Sequence, residues 1–367
     1  MKQSSPNQTT RITGEVRIVG AGLLGTSIGL GLTKKGVDVV LVDSSPANLA
    51  LAIDYGAGRA AKPSDAPELI IICVPPDVTA NLIANEMAAH PSAIVTDVAS
   101  VKSGILLELQ KTGLDLSNYV GSHPMAGRER GGAISGRADL FVGRPWVVAA
   151  HPQSSSTAIQ TVQDLALDLS AAPTSFNPLE HDRAVALVSH LPQLISSLLA
   201  ARLNSAAGND ISLAGQGLRD TTRIASSDPK LWLQILRANS EPVAKLLRDF
   251  ATDLNSVVDS LENVSASGSM AALSRILESG NRGVSRIPGK HGSNPTLYAQ
   301  LVVMIDDSPG ELARLLTEVG EIGVNLEDLK LEHSPGALIG LVELSVSPEL
   351  EQKLTDALIE RGWRLAG

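Results

Sequence analysis

The feature that most constrains this chain is the stretch Val16-Arg17-Ile18-Val19 running directly into Gly20-Ala21-Gly22-Leu23-Leu24-Gly25. A β-branched run, glycines at G-x-G-x-x-G spacing and a helical pattern behind them read together as a strand that turns tightly into a helix. Gly20 permits the turn, Gly22 lets the backbone come close to a bound group, and Gly25 lets the helix pack on the strand. Amides at the helix start, around Ala21, Leu23 and Leu24, then face an anion such as a pyrophosphate. A second run, Val39–Val42, ends at Asp43 about 20 residues on, where a carboxylate accepts from ribose hydroxyls and repels a 2′-phosphate. Ser44 and Ser45 follow and the next arginine is Arg59, so the stretch predicts NAD rather than NADP.

The rest of the chain extends this reading. With 367 residues the sequence has room for two or three domains. Strand-like runs at Val16–Val19, Val39–Val42, Leu69–Val74, Ala93–Asp97, Tyr119–Ser122 and Trp146–Ala149 alternate with Ala- and Leu-rich helical stretches, the pattern of a parallel sheet covered on both faces. The predicted fold is therefore α/β: a Rossmann-type doubly wound parallel sheet over 15–176 and an all-helical domain over 177–280. A Gly/Pro-rich linker over 281–296 and a small βαββαβ unit over 297–367 complete it.

Charge and composition exclude several functions. A net charge of −9 and 2% aromatic residues give neither a basic footprint nor stacking platforms, so no nucleic acid partner is expected. The longest unbroken apolar runs, such as Leu69–Val74, are too short for a bilayer, and 1–14 has no apolar signal core, so the expectation is a cytoplasmic protein with no membrane partner. The single cysteine, Cys73, excludes an internal disulfide and reads as a buried apolar thiol. No metal site is expected.

Two loops at the carboxyl ends of later strands carry the remaining chemistry, which is where an open α/β sheet places its ligand crevice. They are Thr96-Asp97-Val98-Ala99-Ser100-Val101-Lys102 and Gly121-Ser122-His123-Pro124-Met125-Ala126-Gly127-Arg128-Glu129. With Ser189-His190-Leu191-Pro192 and the segment Arg219 to Pro229, these motifs make the chain resemble the prephenate dehydrogenase family over nearly its whole length. The resemblance implies NAD-dependent oxidative decarboxylation of prephenate to 4-hydroxyphenylpyruvate in tyrosine biosynthesis. It implies His123 as the group that polarises the substrate hydroxyl, Ser100 as its hydrogen-bonding support near the nicotinamide, and Val74 and Pro75 beside the cofactor. Arogenate as substrate, and a non-catalytic amino-acid and nucleotide sensor, are the alternatives.

A dianionic substrate needs cations. Arg219 and Arg223 lie four apart on one predicted helix, and a guanidinium fork can grip a carboxylate, with Arg223 matching the family's substrate arginine. The bland alternative is a pair of surface arginines bridged to Asp220 or Asp228. The helix from Asn177 carries a cap, Pro178 and Glu180, and Pro192 inside it predicts a kink beside Ser189 and His190. Ser189, His190, Gln193 and Glu129 are the further substrate candidates, while His181 and His190 read equally well as ordinary helix histidines. Many prephenate-using relatives have His where this chain has Gln193. The broad apolar faces of the helical region predict a homodimer.

The tail resembles ACT-type regulatory domains at Asp306-Asp307-Ser308-Pro309-Gly310-Glu311-Leu312 and Gly320 to Leu326. The resemblance implies an amino-acid effector, tyrosine, held by Asp307, Pro309, Gly310 and Asn325.

Overall fold

The structure, a computed structural model, describes residues 10–127, 131–287, 298–333 and 339–366. The first part runs β1 (Val16–Val19), α1 (Leu23–Thr33), β2 (Val39–Val42), α2 (Pro46–Asp54), β3 (Arg59–Ala60), β4 (Leu69–Ile72), α3 (Pro76–Ala89), β5 (Ile94–Asp97), α4 (Ser103–Lys111), β6 (Tyr119–Pro124), β7 (Pro145–Ala149), α5 (Ser156–Asp168) and β8 (Ala172–Phe176). These eight strands form one sheet in the order β3-β2-β1-β4-β5-β6-β7-β8. After β3 the chain crosses to the other side of β1, so the carboxyl ends of β1 and β4 flank the switch point where such sheets bind dinucleotides. Helices cover both faces, which is why β4, Leu-Ile-Ile-Ile, is apolar at every position and wholly buried.

The sheet is mixed rather than wholly parallel, a correction to the sequence reading. β6 pairs antiparallel with β7, Gly121 opposite Ala149, and β8 then pairs parallel with β7. A parallel return needs a crossover helix, and among the described residues only the short 3-10 turn Ala133–Ser135 lies between β6 and β7. Two strands lacked a sequence signal. β3 has only two residues, and β8 is an edge strand, Ala-Pro-Thr-Ser-Phe, whose proline is tolerated because the edge has no further partner.

Helices follow: α6 (Pro178–Val185), α7 (Leu191–Arg202), α8 (Gly208–Ile211), α9 (Gln216–Thr222), α10 (Pro229–Ala238), α11 (Ser240–Glu262) and α12 (Ser269–Val284). Asn177 and Glu180 form the reciprocal capping box that opens α6. Between α6 and α7 the backbone widens into a π turn over Ala186–His190. Pro192 has no N–H for the carbonyl of Val188, so the ladder loosens there. By contact density the chain divides into two units, Met1–Ser205 with Thr222–Phe250, and Ala206–Thr221 with Ala251–Gly367. The first helices of the predicted helical domain, α6 and α7, therefore lie in the same compact unit as the sheet.

The run Pro178–Ser205 is long and apolar enough in composition to cross a bilayer, with a mean hydropathy of 1.6 over its best window, which a count of unbroken apolar runs had passed over. It is instead turned inside out. His181, Asp182, His190, Gln193 and Ser196 are buried, while Leu187, Val188, Leu198 and Leu199 are 55%, 64%, 59% and 39% exposed. The polar side faces the protein, and these four apolar side chains stay exposed among the described residues.

The tail, part of the second unit, runs β9 (Ala299–Asp306), α13 (Glu311–Ile322), β10 (Asp328–His333), β11 (Ile339–Val346), α14 (Glu351–Glu360) and β12 (Arg364–Ala366). Its antiparallel sheet, ordered β10-β11-β9-β12, packs Val303, Leu344 and Val342 against Leu315, Leu354 and Leu358 of the two helices. This is the predicted βαββαβ unit, with Gly310 and Gly323 in the left-handed conformation at the two ends of α13.

Candidate active site

β1 delivers Gly20 at φ +105°, where a Cβ would fall on the Cys73 carbonyl, and a Cβ on Gly25 would meet the Gly20 carbonyl. Each glycine is thus required by backbone contact. A Cβ on Gly22 meets nothing within 4 Å, so the start of α1 faces open space, as a pyrophosphate cradle must. Leu23 and Leu24 form the first turn above it. Asp43, just past β2, holds this loop in shape: its carboxylate accepts from Ala21 N at 2.6 Å and Ser45 N at 2.7 Å. Val74 and Pro75 follow β4, beside β1, and Pro75 precedes α3. Arg59 is engaged elsewhere, paired with Glu15, Asp38 and Asp65. Among the described residues no ion pair joins a cation to Asp43, and the residues fit NAD.

β5 and β6 are neighbours in parallel register, so their following loops emerge at the same edge. Asp97, fully buried at the end of β5, organises the first loop. It accepts from Ala99 N at 2.9 Å and from Tyr119 Oη at 2.8 Å, and it pairs with the Lys102 ammonium. Burial lowers the Lys102 pKa while Asp97 opposes the fall. A buried pair of this kind adds little net stability but makes the loop geometry costly to disturb. Ser100 sits within that loop, half-buried.

His123, near the end of β6, is the centre of the second loop. Among the described residues its ring is bonded not to Ser100, as expected, but to His181 of α6: His123 Nδ1 to His181 Nε2 is 2.9 Å, with the rings edge-to-face. His181 Nδ1 in turn meets Asp182 Oδ1 at 2.8 Å, and Asp182 accepts from Lys102 N and Ser103 N, both at 2.8 Å. Burial would raise the Asp182 pKa, but these hydrogen bonds outweigh it and hold the carboxyl below its ordinary value. Burial first, then His181, Lys102 and His190, push the His123 pKa well below 6.5. The imidazole is neutral at neutral pH and can accept a proton.

His190 is buried, and Asn239 Nδ2 reaches both its Nδ1, at 3.1 Å, and the Asp182 carbonyl, at 2.8 Å. Trp232 packs edge-on against its ring. His123 and His190 are therefore parts of one network through His181, Asp182 and Asn239. The sequence motifs assign Lys102 no role and carry no signal for Asp182 or Asn239, because the bonds that tie the network across the fold join residues 49 to 80 positions apart. Gln193 is buried, four residues from Ser197, and accepts from Ser227 Oγ at 3.4 Å, which brings the turn after Arg223 beside it. Ser189 is half-buried on the π turn, and Glu129 lies outside the described residues.

Arg219 and Arg223 are both exposed, but their single predicted helix tightens between them, with Arg219 in the last turn of α9 and Arg223 opening the 3-10 turn Arg223–Ser226. The bridges to Asp220 and Asp228 do not form. Asp220 accepts from Gln216 and Asp228 caps α10, and among the described residues no ion pair involves either arginine. In the tail, Asp307, Pro309, Gly310 and Asn325 are all exposed. They do not converge: Asp307 follows the end of β9, whereas Asn325 precedes Asp328, which pairs with Ser345 opposite Gln300 at the start of β9. The eight residues of β9 put about 23 Å between those ends.

A switch-point dinucleotide cradle, a neutral histidine at the crevice edge and an exposed arginine nearby in sequence to the site's helical wall define a nucleotide-dependent dehydrogenase. The chain belongs to the prephenate dehydrogenase family: residues 28–173 match that family's nucleotide-binding domain and 177–279 its dimerization domain. A protein described as probable prephenate dehydrogenase NovF of Streptomyces niveus is 36% identical over 94% of this chain and 98% of its own length. Prephenate dehydrogenase of Bacillus subtilis is 23% identical over 94% and 95%. Among solved structures, prephenate dehydrogenase of Aquifex aeolicus in complex with hydroxyphenyl propionate and NAD+ shares the fold, with TM-score 0.64, 23% identity and coverage of 73% and 98%.

Proposed function

We propose that this chain oxidises and decarboxylates prephenate to 4-hydroxyphenylpyruvate, as a cytoplasmic homodimer in tyrosine biosynthesis. The observation that carries the reading is the neutral His123 ring at the same carboxyl edge of the sheet as the nucleotide cradle, with one nitrogen engaged by His181 and the other left to accept from a substrate hydroxyl. NAD supplies the hydride acceptor. As the hydride leaves the ring carbon, His123 polarises the hydroxyl; the electrons of the breaking bond to the ring carboxylate restore aromaticity, and carbon dioxide departs. Arg223, on an exposed turn tied to Gln193 through Ser227, offers its guanidinium to the remaining carboxylate.

The homodimer rests on the uncovered apolar side of α6 and α7 together with the match to a dimerization domain. The tail serves in this reading as an ACT-like domain through which tyrosine restrains the enzyme. Since Asn325 and Asp307 lie at opposite ends of its sheet, one ligand would engage the Asp307–Gly310 end of one copy and the Asn325 end of another.

Reduction of NAD, followed by absorbance with prephenate and arogenate supplied in turn, tests the assignment. The expected result is turnover with prephenate. Turnover with arogenate alone would transfer the reading to that substrate, for which Gln193 in place of a histidine is the residue to examine, and turnover with neither would overturn it.

A further inference from the structure

The catalytic ring of His123 needs a lone pair, not a proton, on the nitrogen that faces substrate, and an isolated neutral imidazole gives no reason for either tautomer. The structure resolves that choice through three groups in line. Asp182, with its carboxyl held ionised by the Lys102 and Ser103 amides, only accepts. His181 Nδ1, at 2.8 Å from Asp182 Oδ1, must therefore carry a proton, which in the neutral ring leaves a lone pair on His181 Nε2. His123 Nδ1, 2.9 Å from that nitrogen, must then be the donor, and His123 Nε2 is left as the acceptor.

We infer that His181 and Asp182 form a positioning pair, which sets the tautomer and ring orientation of His123 without touching substrate. The inference rests on the reading of His123 as the hydroxyl's acceptor and extends it. The chain sits where displacement is costly. His181 and Asp182 are 1% and 3% exposed, and Asp182 joins α6 to the start of α4 while Asn239 secures its carbonyl. The Lys102 ammonium is bonded to Asp97, and among the described residues no ion pair joins a lysine or arginine to Asp182. The pair also receives charge: as His123 draws the hydroxyl proton to Nε2, its Nδ1–H bond to His181 strengthens, with the Asp182 carboxylate behind it.

The polarity of the chain makes the proposal testable by substitutions that keep shape and change direction. Asp182→Asn can donate to His181 Nδ1, which places a proton on His181 Nε2, turns His123 over to the other tautomer and leaves an N–H facing the substrate. kcat should fall by about 10²-fold or more, in the range for lost acid–base assistance, with KM for NAD and substrate little changed. His181→Gln can still accept from His123 and donate to Asp182, whereas His181→Leu can do neither. Glutamine should hold kcat at least about tenfold above leucine, with both variants binding NAD and melting like each other. Equal kcat for His181→Gln and His181→Leu overturns the inference even if Asp182→Asn proves unstable. His123→Asn in the same series separates the two claims. If it retains full turnover, the reading of His123 itself fails; if it is inactive while the two His181 variants are equal, only the positioning role fails.

Discussion

Asn239 spans two helical segments with one amide nitrogen, donating to the Asp182 carbonyl at 2.8 Å and to His190 Nδ1 at 3.1 Å. The second bond fixes His190 as the tautomer with its proton on Nε2 and leaves Nδ1 no room for another. Burial moves the same way, pushing the His190 pKa down to about 4. Asn239→Ala leaves two buried acceptors unpaired and should destabilise the protein by about 1–3 kcal/mol. Differential scanning calorimetry reads the change, and an unaltered Tm would remove Asn239 from this role.

Stability should follow the titration of His190. Its folded pKa lies below the ordinary 6.5, so between pH 6.5 and about 4 the unfolded chain takes a proton that the folded chain refuses. The contribution is complete above pH 6.5 and disappears as pH falls toward 4. Urea midpoints across this window should decline less steeply for His190→Gln than for the parent protein. Parallel slopes would count against it.

Turnover should follow His123. The base must be neutral, and because its folded pKa is depressed, the neutral form persists to lower pH than for a free histidine. The acid limb of kcat/KM should therefore fall below pH 6.5, and His123→Asn should keep NAD binding while losing about 10²–10⁴-fold in turnover. An acid limb above 6.5 would point to another group.

Arg223 has no ion pair among the described residues, so Arg223→Ala removes no structural bridge. Loss of a bidentate contact to a substrate carboxylate should cost about 2–5 kcal/mol in substrate binding and leave NAD affinity alone. Initial-rate kinetics decide, and an unchanged KM for substrate would refute it.

Assembly and regulation are each open to one change. Leu198, 59% exposed on α7, should become a repulsive charge in Leu198→Glu, converting a dimer to a monomer by sedimentation. A chain ending at Ser293 should lose restraint by tyrosine, where coupling of about 1–3 kcal/mol would otherwise shift half-saturation some five- to 150-fold. A full-length enzyme indifferent to every aromatic amino acid would end the regulatory reading.

Much of this was legible along the chain because it is local. The turn at Gly20 follows from three glycines after a strand, the capping box from Asn177 and Glu180, a disturbed helix beside Ser189 and His190 from Pro192, and β1 and β2 from Val- and Ile-rich runs, each a preference that a few neighbouring residues settle among themselves. The direction of β7 was not local. It depends on the connection before it, and the short edge strands β3 and β8 exist only because a neighbour supplies their hydrogen bonds. The same holds at the site. His123 could be singled out from its loop, but its partner could not, since His181 is 58 positions away and reaches it only when α6 packs its polar side inward. Helical periodicity marks an apolar stripe as the buried one; here His181, Asp182 and His190 are buried in a hydrogen-bonded network, and Leu187, Val188 and Leu198 are exposed. Only the tertiary structure could decide that, because hydrogen-bond partnership is a property of positions in space and not of spacing in the chain.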